Sequence, residues 1–351
     1  MEYEIELKLS TRVQAGTFIE SYLLPKLAAS VEQRELELSN SYFDTAQRDF
    51  RKNGMGLRIR GCQHEYEQTI KTAGNSVAGL AQRPEYNVAL GKGLLSPPAL
   101  PDLSLFPAEI WPANFELNTA QAQLHCLFET HFKRTVYLLT FNADSQIELV
   151  WDRGQVRANN KQEEINEVEL ELKQGKVSQL FTVARELAQV MPLKIGLLSK
   201  AARGYRLLKA ETQTEKSSPE LKVSFNESKL DNASITELHD YLAERLKCWQ
   251  LLINLFDAEP NAKHFNAVGT VWLQLSLLLA KCVLTQQSNV QLKTDVEHFN
   301  QAWQGVLLKQ QDVSDESQQW SAAVVLLTGQ SAIVLQLAIM QHLVEQQSSG
   351  S

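Results

Sequence analysis

The chain is poor in the features that mark secreted, disulfide-built or nucleic-acid-binding proteins. Its four cysteines among 351 residues, Cys62, Cys126, Cys248 and Cys282, lie far apart, which excludes a CxxC metal motif and gives no disulfide framework. Met1-Glu-Tyr-Glu-Ile-Glu6 lacks the basic stretch and apolar core of a secretory leader, so a cytoplasmic location is expected. An excess of positive charge is also missing. The net charge is −7, and residues 1–210 hold 25 Lys and Arg against 25 Asp and Glu, while 211–351 hold 9 against 16. Neither part offers the basic surface that nucleic acid requires.

With 44% hydrophobic and 21% charged residues, the composition is that of a soluble globular protein, and the length suits two domains. Strict alternation of charged and apolar residues opens the chain, and strand-like segments recur near 34–44, 56–62, 64–72, 82–90, 129–141, 144–152 and 163–173. Helical patterns fall near 13–29, 177–190 and 199–208. The first 210 residues therefore read as an α+β domain rich in antiparallel strands. Residues 211–224 are polar, contain Pro219 and lack apolar periodicity, as linkers do. Beyond them 225–347 read as an α-bundle, with helices expected at 235–256, 265–284, 292–308 and 320–344. Residues 317–344 carry no charge and could cross a bilayer by length, but Gln330, Ser331, Gln336 and Gln341 interrupt them. A central bundle helix is expected there, and no membrane partner.

Residues two apart in a strand share a face, so Glu2, Glu4, Glu6 and Lys8 point one way, and Glu167, Glu169, Glu171 and Lys173 form a second row of the same kind. Arg58 and Arg60 share a face of a third strand, and Lys71, Arg83, Glu85, Arg134 and Asp152 add charges on others. A single row of this kind ordinarily means a solvated sheet face. Carboxylate rows and arginine rows on separate strands are different, because like charges repel and each set asks for a neutralising partner. Divalent metal suits the glutamates, a multiply charged anion suits Arg and Lys, and Mg²⁺ or Mn²⁺ bridging carboxylate to phosphate satisfies both.

These residues carry a resemblance. Glu4-Ile-Glu6-Leu-Lys8 resembles the ExExK signature of the CYTH superfamily, the triphosphate tunnel metalloenzymes. Gly54-Met-Gly-Leu-Arg-Ile-Arg-Gly61, Gln82-Arg-Pro-Glu-Tyr-Asn-Val-Ala-Leu90, Glu167-Val-Glu-Leu-Glu-Leu172 and Leu198-Ser-Lys-Ala-Ala-Arg-Gly-Tyr205 follow in the family's order. Over residues 1–210 the match is most similar to bacterial inorganic triphosphatases that join a CYTH domain to a helical CHAD domain. It implies a closed barrel of eight antiparallel strands around a tunnel, flanked by helices and followed by an all-α bundle. The implied activity is metal-dependent hydrolysis of inorganic triphosphate, or another short polyphosphate, to pyrophosphate and phosphate. Class IV adenylyl cyclase and thiamine triphosphatase are alternatives within the superfamily, and a non-catalytic polyphosphate-binding module is an alternative of another class.

Carried over residue by residue, the resemblance gives Glu4, Glu6, Glu169 and Glu171 to metal. It gives Lys8, Arg58, Arg60, Lys71, Arg134 and Lys200 to phosphate oxygens, with Glu169, Glu171 and Lys200 acting in catalysis. Glu85, Asp152, Glu167, Arg83 and Arg203 are weaker members of the set. None of the seven histidines falls in these motifs. The acidic helical part departs from the family, whose CHAD helices are basic and histidine-rich, so a divergent or truncated CHAD-like domain without a polyphosphate groove is expected, its protein partner unspecified. Binding through lysines such as Lys222, Lys229 and Lys247 is the alternative.

Overall fold

The computed structural model describes residues 2–27, 29–77, 79–92, 96–142, 144–209, 230–231, 233–282, 290–310 and 320–349. The expected linker, 211–224, lies outside the described residues, as do Lys222 and Lys229.

Ten strands are present among the described residues: β1 (Glu2–Ser10), β2 (Ser30–Asp44), β3 (Gly56–Cys62), β4 (Glu65–Lys71), β5 (Asn75–Val77), β6 (Leu80–Lys92), β7 (His125–Asn142), β8 (Ser145–Ala158), β9 (Lys161–Gln174) and β10 (Lys194–Ile195). Eight of them pair antiparallel in the cyclic order β1-β9-β8-β7-β2-β3-β4-β6, and β6 returns to β1 with Glu4 opposite Arg83 and Glu6 opposite Ala81. The expected closed eight-stranded barrel is thus observed, with β5 and β10 as short additions on β6 and β1. Closure leaves no unpaired edge and divides every strand into a wall facing in and a wall facing out.

Alternation decides which residues take each wall. On β1, Leu7 and Leu9 point outward and are fully buried, as are Val168 and Leu170 on β9 and Leu149 on β8. They lie under α1 (Ala15–Phe18) and α4 (Ser178–Val190), whose Leu180, Phe181, Ala184 and Leu187 complete that core. Across the barrel, Leu57, Ile59 and Ile70 lie under the segment bearing α3 (Leu117–Gln123), with Leu103, Phe106 and Leu124. A third cluster, with Leu38, Tyr42, Phe128, Phe132 and Val156, fills one end of the interior. Helix α5 (Lys200–Lys209) stops that end. Tyr205 on α5 packs edge-on against Phe128, and its hydroxyl donates to buried Asp44 at 2.7 Å. Asp44 also accepts from the backbone N–H groups of Phe50 and Arg51, at the short helix α2 (Asp49–Lys52).

The remaining helices are α6 (Ile235–Ala258), α7 (Ala262–Cys282), α8 (Val290–Gln310), α9 (Ser321–Leu327) and α10 (Gln330–Ser349). A capping box starts α6, with the Ser234 hydroxyl accepting from the Glu237 N–H while the Glu237 carboxylate takes the Ser234 N–H. Trp249, Trp272 and Phe299 form the aromatic centre of the bundle, and α10 lays its buried face against α4, so bundle and barrel share one core. The single helix expected at 320–344 is in fact two. It ends where the Thr328 hydroxyl turns back to the Val324 carbonyl at 2.7 Å, and Gly329 passes so close to the Val325 carbonyl that a Cβ would stand 2.4 Å from it. By length and apolar composition two stretches, Ala262–Cys282 and Ser321–Gln347, could cross a membrane. Here both contribute buried residues to the common core, including Trp272, Leu275, Ile333 and Ile339.

A charged cavity inside the barrel

The inward wall of the barrel carries the charge. Lys8 stands opposite Glu169, and Glu6 opposite Glu171, across the β1–β9 ladder. Glu171 also faces Glu148, and Asp152 faces Glu167, across β8–β9. Arg134 pairs with Asp152 across β7–β8, and Lys71 with Glu85 across β4–β6. Together these strands enclose a cavity of about 390 Å³, lined by Lys8, Arg58, Arg60, Lys71, Arg83, Arg134 and Lys200 and by Glu4, Glu6, Glu148, Glu169 and Glu171. Eleven of the residues singled out in the sequence are therefore brought to one chamber.

The other four are not among the residues that line it. Asp152, fully buried, takes a two-pronged hydrogen bond from Arg134 at 2.8 and 2.7 Å and lies 2.6 Å from the Lys200 ammonium. Glu167 is held by Lys200 and by Arg203, whose Nη1 is 3.2 Å away. Arg203 is also bonded to Glu163 at 2.7 Å, so its observed contacts are structural ion pairs outside the cavity. Glu85 joins Arg58 at 3.2 Å to Lys71 at 3.1 Å.

Two electrostatic regions result. Asp152, Glu167 and Glu169 place one carboxylate oxygen each within 4.8 Å of one another, but Lys8, Lys200 and Arg134 already surround them. Burial works against the charged forms of Asp152 and Glu167, yet the neighbouring cations win and both carboxyls lie below their usual range. Glu6 behaves alike: burial opposes ionisation, Lys8 and Lys71 favour it, and the carboxyl is held at about 2. Glu171 does the opposite. Burial pushes its carboxyl upward, Glu4 and Glu148 add to that, and Lys173 at 2.7 Å does not offset them. This surplus of negative charge, all hard oxygen donors, fits a divalent cation of the Mg²⁺ or Mn²⁺ type.

The arginine side shows the converse. Burial lowers Arg60 to about 10, aided by its like-charged neighbours Arg58 and Arg134. Buried Arg58 Nε has no hydrogen-bond partner among the described residues. An N–H left so is costly, and a phosphate oxygen would satisfy it. Sequence reasoning missed Glu148, which lies four residues before Asp152 on β8 and which only register brings to Glu171. It also missed Arg51, a further cation of the lining, and Tyr42, Met55, Phe132 and Tyr205, which form its less polar part.

Comparison with known proteins bears on the same residues. The family model described as CYTH domain matches residues 2–205. An inorganic triphosphatase from Haemophilus influenzae is 36% identical over 207 residues, which cover 59% of this chain and 55% of that protein. The chain thus spans about half the length of the curated relative it matches. Among solved structures, HpAC1 from Hippeastrum, described as revealing a dominant triphosphatase activity, covers 58% of this chain and 95% of its own at 17% identity and a TM-score of 0.41. The PH1819 protein from Pyrococcus horikoshii covers 60% and 99% at 15% identity and a TM-score of 0.36.

Proposed function

Because this chain belongs to the CYTH domain family, we propose that it hydrolyses inorganic triphosphate to pyrophosphate and phosphate with Mg²⁺ or Mn²⁺. The observation that carries the reading is the convergence of eight cationic side chains and five carboxylates on one cavity inside the barrel. The identity to the Haemophilus triphosphatase supports it.

In this reading Arg58, Arg60, Lys71 and Arg134 take the oxygens of the substrate, whose charge relieves the repulsion among the guanidinium groups. Lys8 and Lys200 hold the phosphoryl groups from the opposite wall. Glu4, Glu6, Glu169 and Glu171 would hold a divalent metal, Glu169 being also bonded to Lys8 and Lys200. A bound metal would supply neutralisation of phosphate charge and a lowered pKa for a nearby water. Water attacks the terminal phosphorus in line, its proton passes to the Glu171 carboxylate, and the bond to the bridging oxygen breaks as pyrophosphate leaves. Cations fixed before reaction stabilise the charge that spreads over the equatorial oxygens.

A second reading, hydrolysis or cyclisation of ATP or hydrolysis of thiamine triphosphate, is favoured by the lining of Tyr42, Met55, Phe132 and Tyr205, against which an organic group would pack. In our division the helical unit, 225–347, serves through packing and binds no polyphosphate, since its acidity repels a polyanion.

Glu4→Ala and Glu169→Ala separate catalysis from mere binding. Both variants should still bind triphosphate and lose turnover. Turnover at the wild-type rate in both would overturn the assignment.

A further inference from the structure

Asp257, near the end of α6, is a carboxylate of the helical bundle that reaches two cations of the barrel domain. Its side chain is only 2% exposed. Oδ2 accepts from Arg12 Nη2 at 2.7 Å and from the Lys194 ammonium, while Oδ1 is buried without a hydrogen-bond partner among the described residues. A buried charge so placed depends on those two cations.

Lys194 begins a strap that runs over β1 and into α5. Lys194 pairs with Ser10 and Ile195 with Leu9, and just upstream the Thr11 hydroxyl donates to the Pro192 carbonyl at 3.0 Å. The Gly196 N–H then donates to the Lys8 carbonyl at 2.8 Å. The strap lies so close to Lys8 there that a Cβ on Gly196 would stand 2.7 Å from Lys8 Cγ. Three residues later the Ser199 hydroxyl accepts the Ala202 N–H at 3.1 Å, and the next residue is Lys200. Strap residues 194–199 therefore touch the stem of one cavity lysine and end at the other. Both lysines meet on Glu169.

We infer that Asp257 is a positioning residue for Lys8 and Lys200, through which the helical bundle sets the phosphate-binding geometry of the barrel. The inference rests on the proposed phosphate-binding role of the two lysines. Phosphate hydrogen bonds tolerate displacements of only a fraction of an ångström, so a strap released from Asp257 weakens them without touching substrate itself.

A control is built into the same interface. Asp295 on α8, also buried, accepts from Arg185 of α4 at 2.9 Å, and among the described residues neither forms a hydrogen bond or ion pair with the strap. The test compares full-length wild type, Asp257→Asn and Asp295→Asn by calorimetric triphosphate binding in EDTA, steady-state hydrolysis with Mg²⁺ and thermal unfolding. Both variants should lower Tm, but only Asp257→Asn should raise the triphosphate Kd and KM, by about tenfold, with kcat much less affected. Lys194→Met should reproduce that effect and Lys194→Arg should keep wild-type affinity, which preserves the test if Asp257→Asn fails to fold. Wild-type affinity in Asp257→Asn or in Lys194→Met, or equal loss in the two Asp variants, overturns the inference. If wild type neither binds nor hydrolyses triphosphate, the proposed function falls and this inference with it.

Discussion

Glu171 stands directly opposite Glu6 across the β1–β9 ladder, two carboxylates paired inside a barrel where cross-strand partners ordinarily attract or pack. Glu6 is stabilised in its charged form by Lys8 and Lys71, whereas Glu171 is pushed upward by burial and by Glu4 and Glu148. The pair is therefore asymmetric: one carboxylate is settled, and the other carries electrostatic stress that a bound cation would relieve.

That stress has a sign. Glu171 has a folded-state pKa above its unfolded value, so its ionisation destabilises the metal-free fold as pH rises through the folded pKa. In EDTA, Glu171→Gln should be more stable than wild type at pH 7 by about 1 kcal/mol, with the gain shrinking towards pH 4. Triphosphate turnover should fall by about a hundredfold or more in the same variant. Thermal unfolding across pH, beside a phosphate-release assay, measures both.

Glu6 gives the opposite dependence. Its carboxyl is depressed from 4.5 to about 2, so its contribution to stability is complete above 4.5 and lost as pH falls towards 2. Glu6→Gln should flatten the loss of stability in that window relative to wild type, measured as urea midpoints between pH 5 and 2.

On the arginine wall, Arg58→Lys removes the buried Nε that lacks a partner among the described residues and the fork proposed to grip phosphate. Triphosphate added in EDTA should raise the Tm of wild type, and the rise should shrink strongly in Arg58→Lys. An unchanged shift would place the substrate away from this wall.

Gly204 lets α5 approach β7, since a Cβ there would stand 2.2 Å from the Phe128 ring. Gly204→Ala should cost about 1–3 kcal/mol of stability by urea unfolding. It should also lower turnover, because α5 begins with Lys200.

Much of this was legible because charge rows on β1, β3 and β9 obey the two-residue period of a strand, and the side chains at 4, 6, 8, 58, 60, 169 and 171 reach one cavity. Other features depend on pairing between distant strands. Glu148 gains meaning only from its register with Glu171, and barrel closure through β1 and β6 joins segments some eighty residues apart, a relation that periodicity cannot express and only the family resemblance implied. The turn at Asn159, where φ is +51°, joins β8 and β9 as one long hairpin, so 153–162 extend the expected strands rather than lie outside them. The break at Thr328 and Gly329 hid inside an apolar run, and Asp257 looked like any acid in an acidic domain until the fold set it against Arg12 and Lys194.

Phosphate release from inorganic triphosphate, ATP and thiamine triphosphate, each with Mg²⁺, with Mn²⁺ and with EDTA, tests the central claim most directly. The expected result is metal-dependent release from inorganic triphosphate well above the other two, abolished by EDTA. Consumption of ATP alone with pyrophosphate and no orthophosphate would point to cyclisation, and no turnover of any substrate would contradict an enzymatic role for the cavity.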